Sequence, residues 1–150
     1  MWQEKLQEII KEKKRYGEKV NNGATKEEIA MFLEEAKARL RADFPGDYVK
    51  ILEQVNGLEF NGFILYGIDQ YLLSKQPNQS INGLIENNKY WYENEWLQEY
   101  IFIGESGISW YAYHLTEGEY VELDSPSGEK IEEFSNLACM VERVLSEALE

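Results

Sequence analysis

Residue types that build reactive sites are scarce in this sequence. Its 150 residues include one cysteine and one histidine. A single cysteine excludes a disulfide scaffold and a cysteine-based zinc cluster, and it is typical of a reducing compartment. No apolar run approaches the 18 residues that a membrane span requires, and residues 1–19 lack the apolar core of a signal peptide. We therefore expect a cytoplasmic protein with no membrane contact.

Catalytic motifs are also missing. No Gly-x-Ser-x-Gly, GxGxxG or phosphate-binding loop occurs, and Gly-Glu-Ser-Gly at residues 104–107 has the wrong spacing for a nucleophile elbow. We expect His114 to be a structural or half-exposed residue, and Cys139 to be a packed thiol on the last helix. No catalytic residue, metal site or cofactor is predicted, so the chain is not expected to be an enzyme. One enzymatic alternative stays open, a hydrolase in which Glu105 and Asp124 converge.

Acidic residues outnumber basic ones, 28 to 15, and the imbalance is uneven. Residues 1–41 hold ten of the basic residues, whereas residues 93–150 hold fourteen acids beside only Lys130 and Arg143. This asymmetry predicts an acidic face in the C-terminal half, which would attract a cationic partner and repel nucleic acid. We therefore predict no direct binding of nucleic acid. The alternative is that the charge serves solubility alone.

Hydrophobic periodicity predicts helices first and strands later. Apolar stripes at helical spacing cover residues 2–16, 25–40, 48–55 and 137–148, with a capping box at Thr25 and Glu28 and a cap at Ser135 for the last helix. Asn61-Gly62 predicts a type I′ hairpin. Strands are predicted at residues 100–103, 108–115, 120–124 (half-exposed) and 130–134 (an edge), and a loop at residues 74–82. We predict one α+β domain over residues 1–150, with N-terminal helices and a C-terminal helix packed on a central, mostly antiparallel sheet.

Aromatic and acidic residues alternate irregularly between residues 87 and 100. Trp91 and Trp96 are expected to anchor this segment onto the sheet, whereas Tyr90 and Tyr92 are expected to be exposed contacts for a protein partner. The alternative is that all these rings pack inward and the glutamates face water. The residues that we predict to bind the partner are Tyr90, Tyr92, Glu93, Glu95, Glu99, Glu105, Glu117, Glu119 and Glu122.

The order of several short motifs resembles the SUKH superfamily over about residues 25–145. The motifs are Phe44-Pro45-Gly46-Asp47-Tyr48, Ile51-Leu52, Asn56-Gly57-Leu58 and the hairpin Phe60-Asn61-Gly62-Phe63 with Tyr66-Gly67. Two later stretches look like the YrhA-type branch of that superfamily, residues 100–106 and Trp110 to His114.

The resemblance implies an α+β domain without catalytic residues. Bacterial members are mostly inferred to be immunity proteins that bind and neutralise secreted toxins, many of them nucleases, and fungal relatives act as regulators through protein contacts. We therefore expect a single SUKH-like domain that blocks a cognate toxin by direct contact. The toxin is expected to have a basic surface, and a nuclease is one such toxin. A regulatory adaptor without a toxin partner is the alternative.

Overall fold

A computed structural model describes residues 1–40, 43–69 and 81–150 of the chain. The helices are α1 (Trp2–Arg15), α2 (Lys26–Leu40), α3 (Tyr48–Gln54), α4 (Leu84–Trp91) and α5 (Leu137–Leu149), with a 3₁₀ helix at Glu95–Glu99. The strands are β1 (Leu58–Phe60), β2 (Phe63–Leu65), β3 (Tyr100–Glu105), β4 (Ser109–His114), β5 (Tyr120–Asp124) and β6 (Lys130–Phe134). This arrangement confirms the predicted α+β class.

All six strands form one antiparallel sheet in the order β1 to β6. Tight turns join most neighbours, and they force consecutive strands to run in opposite directions. At the first turn Asn61 has φ 50° and Gly62 has φ 84°, as the predicted type I′ hairpin requires. The predicted loop at residues 74–82 lies mostly outside the described residues. Among those that are described, no helix is long and apolar enough to cross a membrane.

The start of α2 follows a local signal in the sequence, whereas contacts between distant residues hold α1 in place. The capping box at the start of α2 is present: the Glu28 carboxylate accepts the Thr25 N–H at 2.8 Å, and the Thr25 hydroxyl accepts the Glu28 N–H at 3.1 Å. Helices α1 and α5 pack against each other. The buried ammonium of Lys13 in α1 donates to the Glu59 carbonyl at 2.7 Å, which ties α1 to the first hairpin.

The two faces of the sheet are covered by different elements. By strand register, Tyr111, Tyr120, Glu122, Glu132 and Phe134 share one face, which we call the α5 face because Arg143 of α5 contacts Glu132 and the ring of Phe134. The opposite face carries Tyr100, Phe102, Glu105, Trp110 and His114. We call it the Trp91 face because the Trp91 ring lies against Phe102 and Trp110, at centroid distances of 6.2 and 5.0 Å.

Three sequence-based expectations near α5 are wrong. The cap of α5 is Asn136 rather than Ser135, since the Asn136 side chain accepts the Cys139 N–H at 2.8 Å. Cys139 is exposed, because the buried stripe of α5 runs through other positions. Strand β5 is buried on both sides rather than half-exposed, because side chains cover both faces of the sheet at this strand.

Candidate functional site

The segment between residues 84 and 100 is more regular than its sequence indicated. Helix α4 lies beside β3, where the fully buried side chain of Asn88 accepts the Phe102 N–H at 2.7 Å and donates to the Phe102 carbonyl at 2.9 Å. Asn88 thus replaces a strand partner for β3. Leu84, Asn88 and Trp91 have helical spacing. The sequence predicts helix α4 only if the polar residue Asn88 is counted among the residues of its buried side.

The aromatic residues of this segment divide into anchors and exposed rings. Trp91 packs on the sheet as expected, and Tyr90 is 62% exposed. Trp96 is less buried than expected: it remains 46% exposed, although its ring edge lies against Gly128 in the β5–β6 turn. Tyr92 is half-buried and its hydroxyl donates to the Tyr100 carbonyl, and burial raises the pKa of Tyr92 to about 12. Exposed aromatic rings are frequent anchors in protein interfaces.

Three of the predicted acids gather at one end of the Trp91 face. Burial raises the pKa of Tyr100, and the charges of Glu99, Glu117 and Glu119 raise it further. Lys130 is the counter-charge: it forms an ion pair with Glu119 at 3.2 Å and another with Glu133. We call Glu99, Glu117 and Glu119 the acidic rim.

Other predicted residues near the acidic rim are exposed or structural. Glu93 and Glu95 are exposed on the connection from α4 to the 3₁₀ helix. His114 is half-buried, its ring meets that of Tyr100 edge-on, and its Nδ1 accepts the Glu117 N–H at 3.1 Å. His114 therefore has the structural position expected for it.

Glu105 lies on the same face as the acidic rim but at its opposite end. It pairs with Trp110 in register, whereas Tyr100 pairs with His114 four residues further along β4, a separation of roughly 13 Å. Its carboxylate accepts hydrogen bonds from the Tyr66 hydroxyl at 2.8 Å and from Asn82 Nδ2 at 3.3 Å. The sequence gave no indication of Tyr66 and Asn82 as site residues, because they belong to segments far from Glu105 along the chain.

Glu122 is separated from the other predicted acids. It lies on the α5 face, is only 8% exposed, and its carboxylate accepts the Ser109 hydroxyl at 2.7 Å. A partner on the Trp91 face has no access to it. The sequence predicted an accessible Glu122 because alternation along β5 was interpreted as a strand with one face open to water.

The carboxylate pair that the hydrolase alternative requires is not formed. Glu105 in β3 shares a face with Trp110, whereas Asp124 in β5 pairs with Ser109 and lies on the opposite face. Strand β4 lies between them. The Asp124 carboxylate instead accepts the Ser127 hydroxyl at 2.6 Å within the β5–β6 turn. The interpretation of Glu105 and Asp124 as a catalytic pair is therefore wrong.

Comparison with protein families explains the motif order. The model of the SMI1 / KNR4 family (SUKH-1) matches residues 23–143. The chain belongs to this family. The match confirms the SUKH resemblance, and the YrhA-type branch stays a prediction. No curated protein matches the chain. SUKH proteins are generally non-enzymatic immunity proteins.

Proposed function

We propose that this SUKH protein is a cytoplasmic immunity protein that neutralises a toxin by direct binding, without making or breaking a covalent bond. The observation that carries the proposal is the acidic rim, whose three residues adjoin the paired strand ends at Tyr100 and His114. Exposed Tyr90 and Trp96 provide aromatic contact area in the preceding segment. Carboxylates beside exposed aromatic rings favour a cationic protein surface as the partner.

A nuclease is the toxin class that fits this surface best. Its substrate groove must be basic in order to bind phosphates, and an acidic protein surface competes for the same groove. The proposed binding surface consists of Tyr90, Tyr92, Glu93, Glu95, Glu99, Glu105, Glu117 and Glu119. Glu122 is left out because the structure buries it beneath α5.

Co-expression tests the proposal. The chain is expressed together with the toxin domain encoded beside its gene, and growth of the bacterial host is followed. We expect the wild-type chain to restore growth. Unchanged killing in the presence of the folded chain would contradict the immunity function and leave the adaptor alternative.

A charge-matched pair of variants tests the surface separately. Glu99→Gln, Glu117→Gln and Glu119→Gln together neutralise the acidic rim. Glu4→Gln, Glu8→Gln and Glu27→Gln neutralise three exposed acids of α1 and α2 instead. We expect the first triple variant to protect less than the second at equal expression. Equal protection by both would show that the binding surface lies elsewhere, even if the wild-type chain protects.

A further inference from the structure

Glu105 owes its position on the Trp91 face to a β-bulge. The register between β3 and β4 shifts between Phe102 and Gly104, so that Ile103 is the additional residue. Without this residue, alternation would place Glu105 on the α5 face, because it is an odd number of residues from Phe102. A Cβ at Gly104 would lie 2.5 Å from the Ile64 carbonyl oxygen, so the strands approach closely only with glycine there. Bulges often redirect a side chain toward a functional site.

Two neutral donors fix the Glu105 carboxylate without neutralising it. The Tyr66 hydroxyl binds Oε2 at 2.8 Å, and Asn82 Nδ2 approaches Oε1 at 3.3 Å. No lysine or arginine in the described ranges forms an ion pair with Glu105. Glu119 and Glu132, in contrast, are paired with Lys130 and Arg143. Glu105 is therefore a half-buried, oriented carboxylate without an ion-pair partner among the described residues.

Tyr66 is itself held in place. Its side chain is fully buried, and both Trp91 Nε1 and Asn87 Nδ2 approach it closely enough to affect its ionisation. Burial raises the pKa of Tyr66, Glu105 raises it further, and the Trp91 and Asn87 N–H groups oppose this effect. The hydroxyl consequently stays protonated at neutral pH and donates to Glu105. Neither of these two buried N–H groups has a well-placed acceptor among the residues described.

We propose that Glu105 is a preorganised binding site for a guanidinium group of the partner protein. This inference rests on the proposed function, since it takes the partner to be a cationic protein. A carboxylate has about four acceptor positions, and Tyr66 and Asn82 use only two. The other two suit the paired N–H groups of arginine, because these two hydrogen bonds already fix the orientation of the carboxylate. Lysine, as a point charge, gains less from that alignment.

Preorganisation distinguishes Glu105 from the other exposed acids. Glu93 is exposed on the connection after α4, so binding would have to immobilise its side chain at an entropic cost. Glu105 has already lost that freedom on folding. We therefore expect it to contribute more to affinity than any single acid of the acidic rim, with Tyr66 as the positioning residue that makes the difference.

The test uses a small probe and needs no toxin. Nα-acetyl-arginine methylamide is titrated into the full chain, and the Trp91 indole N–H and the Glu105 carboxyl carbon are followed by NMR. We expect saturable shifts with a dissociation constant on the order of 10 mM, and weaker binding of the lysine analogue. Glu105→Gln should abolish the shifts, whereas the charge-matched Glu8→Gln, at an exposed position of α1 outside the proposed surface, should leave them unchanged. Equal losses in both variants, or unchanged binding in Glu105→Gln, would overturn the proposal.

Tyr66→Phe tests the positioning role. We expect the arginine probe to bind about three- to tenfold more weakly, and the preference for arginine over lysine to shrink toward one. Asn82→Ala should have the same effect in smaller measure, and it serves if Tyr66→Phe does not fold. An unchanged preference in a folded variant would overturn the positioning role. Because the probe replaces the toxin, guanidinium binding without protection in cells would refute the immunity function alone. Protection without guanidinium binding would refute this site alone.

Discussion

The two faces of the sheet use glutamate in different ways. On the α5 face Glu122 is covered by the neighbouring helix and bound by Ser109, and Glu132 is paired with Arg143. On the Trp91 face Glu119 pairs with Lys130, whereas Glu99, Glu105 and Glu117 form no ion pair with any residue that the structure describes. Residues of one type and similar sequence context are therefore structural on one face and available on the other. Net charge alone does not reveal this difference, because the burial of each glutamate depends on which face of the sheet a helix covers.

Asn88 offers the largest perturbation of the Trp91 face. Asn88→Ala removes the side chain that pairs both backbone groups of Phe102, so two buried polar groups lose their partners. We expect the free energy of unfolding to fall by about 2–4 kcal/mol in urea denaturation. The exposed Asn94→Ala is the control and should change it by less than about 0.5 kcal/mol. Similar values for both would show that α4 does not complete the sheet.

Gly104→Ala should break the bulge that places Glu105. Its added methyl group would meet the Ile64 carbonyl at 2.5 Å, and we expect a loss of about 2–3 kcal/mol together with loss of guanidinium binding. Gly107→Ala is the matched control because nothing lies within 4 Å of its added Cβ. The two stabilities are compared by urea denaturation. A neutral Gly104→Ala that still binds the probe would contradict the account of the bulge.

The pH dependence of stability tests the α5 face. Burial raises the pKa of Glu147 in α5, the charge of Glu122 raises it further, and Arg143 lowers it. A carboxyl with a raised folded-state pKa stabilises the fold while protonated. Stability from this group is therefore lost as pH rises from the unfolded value, near 4.5, through the folded value.

In the wild-type chain we expect this pH-dependent loss of stability to stay below about 1 kcal/mol, because Glu147 is partly solvated. Glu122→Gln should make the loss smaller. The pKa of Glu147, followed by NMR titration of its carboxyl carbon, should fall in the variant. Glu117→Gln on the Trp91 face is the control. A larger shift of Glu147 in the control than in Glu122→Gln would place these acids on the wrong faces.

Cys139 gives the smallest effect and reports how α5 is oriented. It lies on the exposed side of the helix, with the buried stripe of Leu137, Met140, Val141, Val144, Leu145 and Ala148 on the other side. We expect a thiol reagent to label native Cys139 as fast as the unfolded chain. Cys139→Ser should change stability by less than about 0.5 kcal/mol. Labelling only after unfolding would mean that α5 covers the sheet with a different side.

Local signals in the sequence predicted most of the fold. The Thr25–Glu28 capping box and the Asn61-Gly62 turn each depend on residues a few positions apart, and both are present in the structure. Helix α4 was missed because its buried side carries Asn88, whose role depends on an unpaired strand far along the chain. Burial of Glu122 was missed for a related reason, since alternation within β5 does not show which helix lies over it.

The candidate site was less predictable than the fold. The acidic rim could be anticipated because Glu99, Glu117 and Glu119 are near strand ends in an acidic stretch. The hydrogen bonds that hold Glu105 could not be anticipated, because the bulge, Tyr66 and Asn82 come together only in the folded chain. A single inserted residue reverses the face of every side chain after it, and short sequence patterns rarely show such an insertion.

The most direct measurement is the association rate of the chain with the toxin domain encoded beside its gene, at low and at physiological salt. If the carboxylates of the Trp91 face bind a cationic partner, neutralising the acidic rim should slow association about tenfold at low salt and flatten its salt dependence. The charge-matched triple variant of α1 and α2 should behave like the wild-type chain. Equal association rates for the two triple variants would contradict the account.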